Sequence, residues 1–165
     1  MTRISGIQST TERGFTVVEL VVILVLVALL AFAVIPRYQD KGAINVSALA
    51  EQLASDVRYT QSLAMTSGQH NRINLVTASY QITTSTGVPV AHPATGSSAA
   101  ISLSNVSLTL SGLANGYIAF DGKGIPYTDV VAGTPLGASA TITLNSAGST
   151  RQIVVSPQTG RVLVQ

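Results

Sequence analysis

An apolar run of 21 residues, from Phe15 to Ile35, contains a single charged side chain, that of Glu19. About 20 apolar residues in a helix can cross the roughly 30 Å hydrocarbon core of a bilayer, so the run predicts a membrane-spanning helix. A carboxylate in such a helix costs about 2.5–3.5 kcal/mol at the bilayer centre and less near its ends. Because intramembrane charges are usually functional, we expect Glu19 to have a specific partner.

Three interpretations of the run are open. It can be a permanent anchor. It can be a secretory signal in which Arg3 and Arg13 form the basic region and cleavage near Ala33 releases a soluble β protein. In the third interpretation, cleavage after Gly14 makes Phe15 the new N-terminus and keeps the apolar run in the mature protein.

The position of Glu19 favours the third interpretation. Phe15 and Glu19 are four residues apart, so a free ammonium group on Phe15 can approach the carboxylate within one subunit or between neighbours. Before the cut, Phe15 has only an amide nitrogen. One cleavage therefore creates the cation that the buried anion needs.

The segment Gly14–Leu20, with the aliphatic run that follows it up to Pro36, resembles the class III leader and N-terminal helix of type IV pilins and type II secretion pseudopilins. The resemblance implies that residues 1–14 are a leader that a prepilin peptidase removes. It also implies that Phe15 is N-methylated, that Glu19 aligns subunits during filament assembly, and that Pro36 disturbs the helix near the membrane exit. The leader is longer than many in the family, but the cleavage motif is intact.

Residues 36–67 predict an amphipathic periplasmic helix that continues the first one. Pro36 lacks an N–H donor and Gly42 is a second weak point, so the helix is expected to kink or loosen there. Ser67 and Gly68 are expected to end it. Its apolar residues recur at helical spacing and polar residues lie between them: Leu49, Leu53, Val57 and Ala64 against Glu51, Gln52, Asp56, Arg58 and Gln61.

Residues 68–165 change to a period of two and predict a β-rich globular domain. Strands are expected at 72–75, 80–83, 101–103, 106–110, 117–120, 140–144, 151–155 and 161–164, with a loop at 87–99 and a turn or bulge at Asn105. One apolar face of this sheet would cover the apolar stripe of the helix. The predicted fold class is α+β: a long N-terminal α-helix, transmembrane in its first half, packed on a C-terminal antiparallel β-sheet domain of pilin type.

Two segments of the tail, Phe120–Pro126 and Val155–Val162, resemble recurring parts of GspH/FimT-like minor pseudopilins. Their glycines and prolines are also what ordinary hairpin turns require. The two tail segments therefore identify the family less specifically than the leader motif does.

The rest of the chain offers little for catalysis or metal binding. His70 and His92 lie far apart in sequence, and both are expected to be exposed to solvent. Asp121-Gly122 predicts a turn, and with Asp129 it supplies too few carboxylates for an evident calcium site. The sequence shows no P-loop, no nucleophile elbow and no cysteine, so we expect no metal, no cofactor and no enzymatic activity.

Arg151 and Arg161 lie on the two arms of the last predicted hairpin and could together contact an anion. A DNA-binding pilin of a DNA-uptake pilus is thus an alternative. Two arginines without interleaved aromatic residues make a poor phosphate track, and solubilising charges on an exposed face explain them more readily. A nucleic-acid partner is not expected.

The sequence thus predicts a non-enzymatic minor pilin or pseudopilin that assembles through its N-terminal helix into a type IV pilus or type II secretion filament, at initiation or the tip. The resemblance implies a single-pass inner-membrane protein with a periplasmic C-terminal domain. It implies as partners other pilin or pseudopilin subunits, the prepilin peptidase, the inner-membrane assembly platform and, before assembly, membrane lipid.

Overall fold

The computed structural model describes residues 15–34, 40–129, 133–146 and 148–165. The chain divides between Gln39 and Asp40 into two compact units. Among the described residues, the first unit contains helix α1, Val17–Val34, and the second contains helix α2, Asp40–Ser67, and ten strands. The predicted leader, with Gly14, and the predicted kink at Pro36 lie outside the described residues.

Helix α1 is almost purely aliphatic, with Glu19 in its first turn. Every side chain described on it, from Val17 to Ala31, is exposed. Across the parts of the chain that the structure describes, no helix combines the length and the hydropathy of a membrane span. The membrane span predicted for residues 15–35 is therefore not confirmed and stays a prediction.

Helix α2 ends at Ser67, as predicted, and Gly68 follows it with a φ of 66°, the left-handed conformation that commonly terminates helices. It continues through Gly42 without a break. Leu49 is only partly buried. The buried stripe of α2 consists of small and medium apolar residues at helical spacing: Val46, Ala50, Leu53, Ala54, Val57 and Ala64.

The ten strands form two antiparallel sheets. In chain order they are β1 Asn71–Val76, β2 Ser79–Thr84, β3 Ile101–Ser102, β4 Ser107–Ser111, β5 Tyr117–Phe120, β6 Pro126–Asp129, β7 Thr134–Pro135, β8 Ala140–Ser146, β9 Ser149–Val155 and β10 Val162–Val164. One sheet has the order β3-β2-β1-β5-β6-β7 and the other the order β10-β9-β8-β4. The predicted α+β class and antiparallel pairing are confirmed, but two sheets replace the single predicted one.

The core of the second unit lies between α2 and the apolar faces of both sheets. Alternation along β1 buries Ile73 and Leu75, and alternation along β8 buries Ile142 and Leu144. Helix α2 packs on β1 and β5 of the first sheet and on β8, β9 and β10 of the second. One helix face thus covers two sheets.

Candidate functional site

The start of α1 carries the residues for which the sequence predicts an assembly role. Phe15 is 75% exposed and directly precedes Thr16, whose side-chain Oγ1 accepts a hydrogen bond from the backbone N–H of Glu19 at 3.2 Å. The carbonyl of Thr16 accepts the first bond of the helix, from Leu20 N–H at 3.1 Å. Thr16 is therefore the N-cap of α1.

The N-cap role of Thr16 is a finding that our sequence reasoning missed. The signal is a Thr three residues before a Glu at the start of an apolar run, which is the pattern of a capping box. A carboxylate in the first turn is also favoured by the partial positive charge at the helix N-terminus. Glu19 thus suits the beginning of α1 even without a partner subunit.

Arg151 and Arg161 are the two residues for which the sequence suggests a joint anion contact. Arg151 lies on β9 and donates from Nε to the Ser47 hydroxyl of α2 at 3.1 Å. It shares the parity of buried Ile153, whereas Arg161 has the opposite parity to its buried neighbour Val162. Because successive residues of a strand face opposite sides of a sheet, the two arginines lie on opposite faces of the β9–β10 hairpin.

A buried polar cluster joins α2, β2 and the loop after β2. The Tyr80 hydroxyl donates to Asp56 Oδ2 at 2.5 Å, and His92 Nε2 lies 2.8 Å from Asp56 Oδ1. Gln52 adds a side-chain bond from Nε2 to the Tyr80 hydroxyl at 3.3 Å. The three titratable side chains are almost inaccessible, with Tyr80 only 1% exposed. We call Asp56, Tyr80 and His92 the buried cluster.

Two sequence predictions are wrong at this cluster. His92 is expected to be exposed in its loop and Asp56 to lie on the polar side of α2, yet both are buried. The physical reason is that Asp56 receives two hydrogen bonds from distant parts of the chain, which replace the water that an exposed carboxylate would bind. His70, in contrast, is only partly buried, and its ring meets the Tyr127 ring edge-on at 5.4 Å.

The Tyr80 and His92 side chains of the buried cluster both point at Asp56. The backbone N–H of Ala94 donates to His92 Nδ1 at 3.2 Å, so the imidazole proton sits on Nε2 and points at Asp56. Burial, then the hydrogen bond to Asp56 and its negative charge, raise the pKa of Tyr80 well above its usual range. Tyr80 therefore remains protonated and donates its hydrogen bond. Through Asp56, the buried cluster connects β2 and the loop after it to α2.

Asp121 lies in the β5–β6 turn, as predicted. Its Oδ1 accepts from the backbone N–H groups of Lys123 at 2.9 Å and Ile125 at 2.8 Å. This is the bonding of an Asx-type turn, in which the side chain mimics a backbone acceptor. Across the described ranges, no three His, Cys, Asp or Glu side chains are grouped so that they could hold a metal ion.

Comparison with known proteins gives both a family and a fold. A model of the family described as type II transport protein GspH matches residues 49–159, a range that contains the buried cluster, all of Phe120–Pro126 and most of Val155–Val162. No curated protein sequence matches the chain.

Two crystal structures of the type IV minor pilin FimU from Pseudomonas aeruginosa are similar in fold. One is 17% identical and covers 72% of this chain and 91% of the FimU chain, with a TM-score of 0.50. The other is 18% identical and covers 73% and 87%, with the same TM-score. At this level of identity the likeness concerns the fold alone.

Proposed function

This chain belongs to the family of the type II transport protein GspH, within the pilins and pseudopilins, and we propose that it is a minor subunit of a type IV pilus or type II secretion filament. In this proposal the subunit assembles through its N-terminal helix and acts at initiation or at the tip. The second unit, residues 40–165, is the periplasmic part that faces outward or meets other minor subunits.

The observation that carries the proposal is the surface of α1. Its described side chains are all exposed, and from Val17 to Leu30 they are apolar on every side apart from Glu19. Fully burying one Val, Leu or Ile side chain is worth about 1.5–3 kcal/mol, so such a helix is strongly driven out of water. Lipid and the helices of other subunits are the two environments that satisfy it.

We therefore place residues 15–35 in the inner membrane as a single span before assembly and in a filament core of similar helices afterwards. A prepilin peptidase would cut after Gly14 and Phe15 would be N-methylated, as the leader resemblance implies. The new ammonium of Phe15 would pair with Glu19 of a neighbouring subunit and set the axial register. Pro36 would loosen the helix at the membrane exit.

Substitution of Glu19 tests the register role. We expect Glu19→Ala to be cleaved and inserted normally but to enter filaments about tenfold less efficiently or worse, because a charge-assisted bond of about 1.5–3 kcal/mol is lost. Glu19→Gln, which keeps the size but not the charge, should behave similarly. The measurement is the ratio of subunit in sheared filaments to subunit in the membrane fraction.

Glu51→Ala is the matched control, because Glu51 is an exposed carboxylate on α2. It should leave incorporation unchanged. Normal incorporation of Glu19→Ala, or an equal loss in Glu51→Ala, would remove the register role from Glu19.

A further inference from the structure

Gln61 of α2 uses one side-chain amide to bind two turns that belong to different sheets. Its Nε2 donates to the carbonyl of Gly124 at 2.9 Å and to the carbonyl of Thr159 at 3.0 Å. Gly124 lies in the β5–β6 turn of the six-stranded sheet, and Thr159 lies in the β9–β10 turn of the four-stranded sheet. The side-chain amide nitrogen has two hydrogens, and each is donated to one of these two carbonyls.

The two turns meet Gln61 at glycines, of which Gly160 leaves no room for a Cβ and Gly124 leaves only a tight fit. A Cβ on Gly160 would lie 2.5 Å from Gln61 Nε2, 2.8 Å from the Gly124 carbonyl oxygen and 3.0 Å from a ring carbon of Phe120. A Cβ on Gly124 would lie 3.1 Å from the same Gln61 nitrogen. Both glycines also have positive φ, 64° for Gly160 and 78° for Gly124, which disfavours other residues.

The segments that meet here are the two tail segments singled out in the sequence, Phe120–Pro126 and Val155–Val162. If the two segments were only ordinary hairpin turns, each would need its glycine just to adopt a positive φ. The structure adds a second requirement, since the two turns contact each other and the same helix side chain. Each turn also has internal bonds, such as Gly124 N–H to Asp121 O at 2.9 Å and Gly160 N–H to Ser156 O at 3.1 Å.

We infer that Gln61 is a positioning residue that fixes both sheets to α2 at one point, with Gly124 and Gly160 as the contact surfaces on the turns. The turns fold from their own bonds, and Gln61 determines where they sit on the helix. This inference rests on the proposed function in one respect: a filament subunit must present its sheets at a constant orientation to the helix that carries them.

Amide hydrogen exchange on the full-length protein in detergent tests directly whether Gln61 holds both turns on α2. Gln61→Met keeps the side-chain length but removes both donors. The Gly124 and Gly160 amides donate to carbonyls inside their own turns, and we expect both to exchange on the order of tenfold faster, together, because turns that are no longer held on the helix open more often. The Ile142 amide, in the interior of β8, should be unaffected, and the control Ser62→Ala, an exposed neighbour on α2, should change neither turn.

Unchanged exchange at both turns in Gln61→Met would overturn the inference, as would a change at only one of them. An equal acceleration at Ile142 would also overturn it, since Gln61 would then be a general contributor to the core. These readouts do not depend on filaments, so their failure leaves the proposed function intact.

A second measurement tests whether assembly depends on the attachment of the two turns to Gln61. Gln61→Met should be cleaved after Gly14 as the wild type is and should enter filaments less efficiently, whereas Glu19→Ala should lower incorporation without altering exchange at either turn. Wild-type incorporation of Gln61→Met, with both turns loosened, would overturn the link between this attachment and assembly.

Discussion

Asp56 lies on the helix that packs on both sheets, and its carboxylate is buried and hydrogen-bonded. The donors, Tyr80 and His92, are 24 and 36 residues further along the chain. Every buried side-chain polar atom in the described part of the chain has a hydrogen-bond partner. A helical periodicity assigns a lone Asp to the solvent side, so no local pattern could predict this burial.

Removing the Asp56 carboxylate should therefore be costly. In Asp56→Ala the buried Tyr80 hydroxyl and His92 N–H lose their acceptor, and each unsatisfied donor costs about 1–3 kcal/mol. We expect the free energy of unfolding of the full chain in detergent, measured by denaturant titration, to fall by about 3 kcal/mol. Glu51→Ala, on the exposed side of the same helix, should change it by less than about 0.5 kcal/mol; similar effects of the two would contradict a bonded role for Asp56.

Tyr80 should make the stability of the fold sensitive to alkaline pH. Its pKa is raised in the folded protein, above the ordinary value of 10.0 that it has when unfolded. The folded state then holds a proton that the unfolded state releases, so stability is fully present below about pH 10 and is lost as the pH rises further. Each unit of pH in that window should cost about 1.4 kcal/mol.

Tyr80→Phe removes this contribution, so denaturant titrations between about pH 9 and 11 should show a shallower decline than in the wild type. The variant should also be less stable at neutral pH, because the bond to Asp56 is absent. An identical alkaline slope in the two proteins would show that Tyr80 is not the responsible group.

At the scale of elements, regular alternation was readable from the sequence and long-range pairing was not. The predicted strand Tyr117–Phe120 matches β5, and the hairpin from β9 to β10 lies where its turn residues predict it. Asn105, predicted as a turn or bulge, has a φ of 61°. The strands β6 and β7 were missed because they are short, contain proline and lack alternation.

The division into two sheets was also not predictable from local patterns. It depends on β1 pairing with β5 and β4 pairing with β8, contacts between residues far apart in the chain. Local patterns specify which residues are extended and which face is apolar, but they carry no signal for distant partners. The opposite facing of Arg151 and Arg161, in contrast, is a local property, since the alternation of apolar residues along the two arms of the hairpin already implies it.

At the scale of the molecule, the family match and the predicted assembly residues lie in different units. The family match covers residues 49–159, all of them in the second unit, whereas Phe15 and Glu19 lie in the first. The leader motif made these two residues predictable as assembly candidates, because processing chemistry and membrane energetics are both local properties of the sequence. The attachments of α2 to the sheets, through Asp56 and Gln61, depend on distant segments that only the folded chain brings together.

The proposed function requires that the apolar helix is retained and begins at Phe15 after a single cut. Mass spectrometry of the intact protein purified from membranes or filaments measures this directly. We expect a mature chain that begins at Phe15 and carries one methyl group on its terminal nitrogen. A chain that begins at Val34, or one that retains residues 1–14, would contradict the proposed processing.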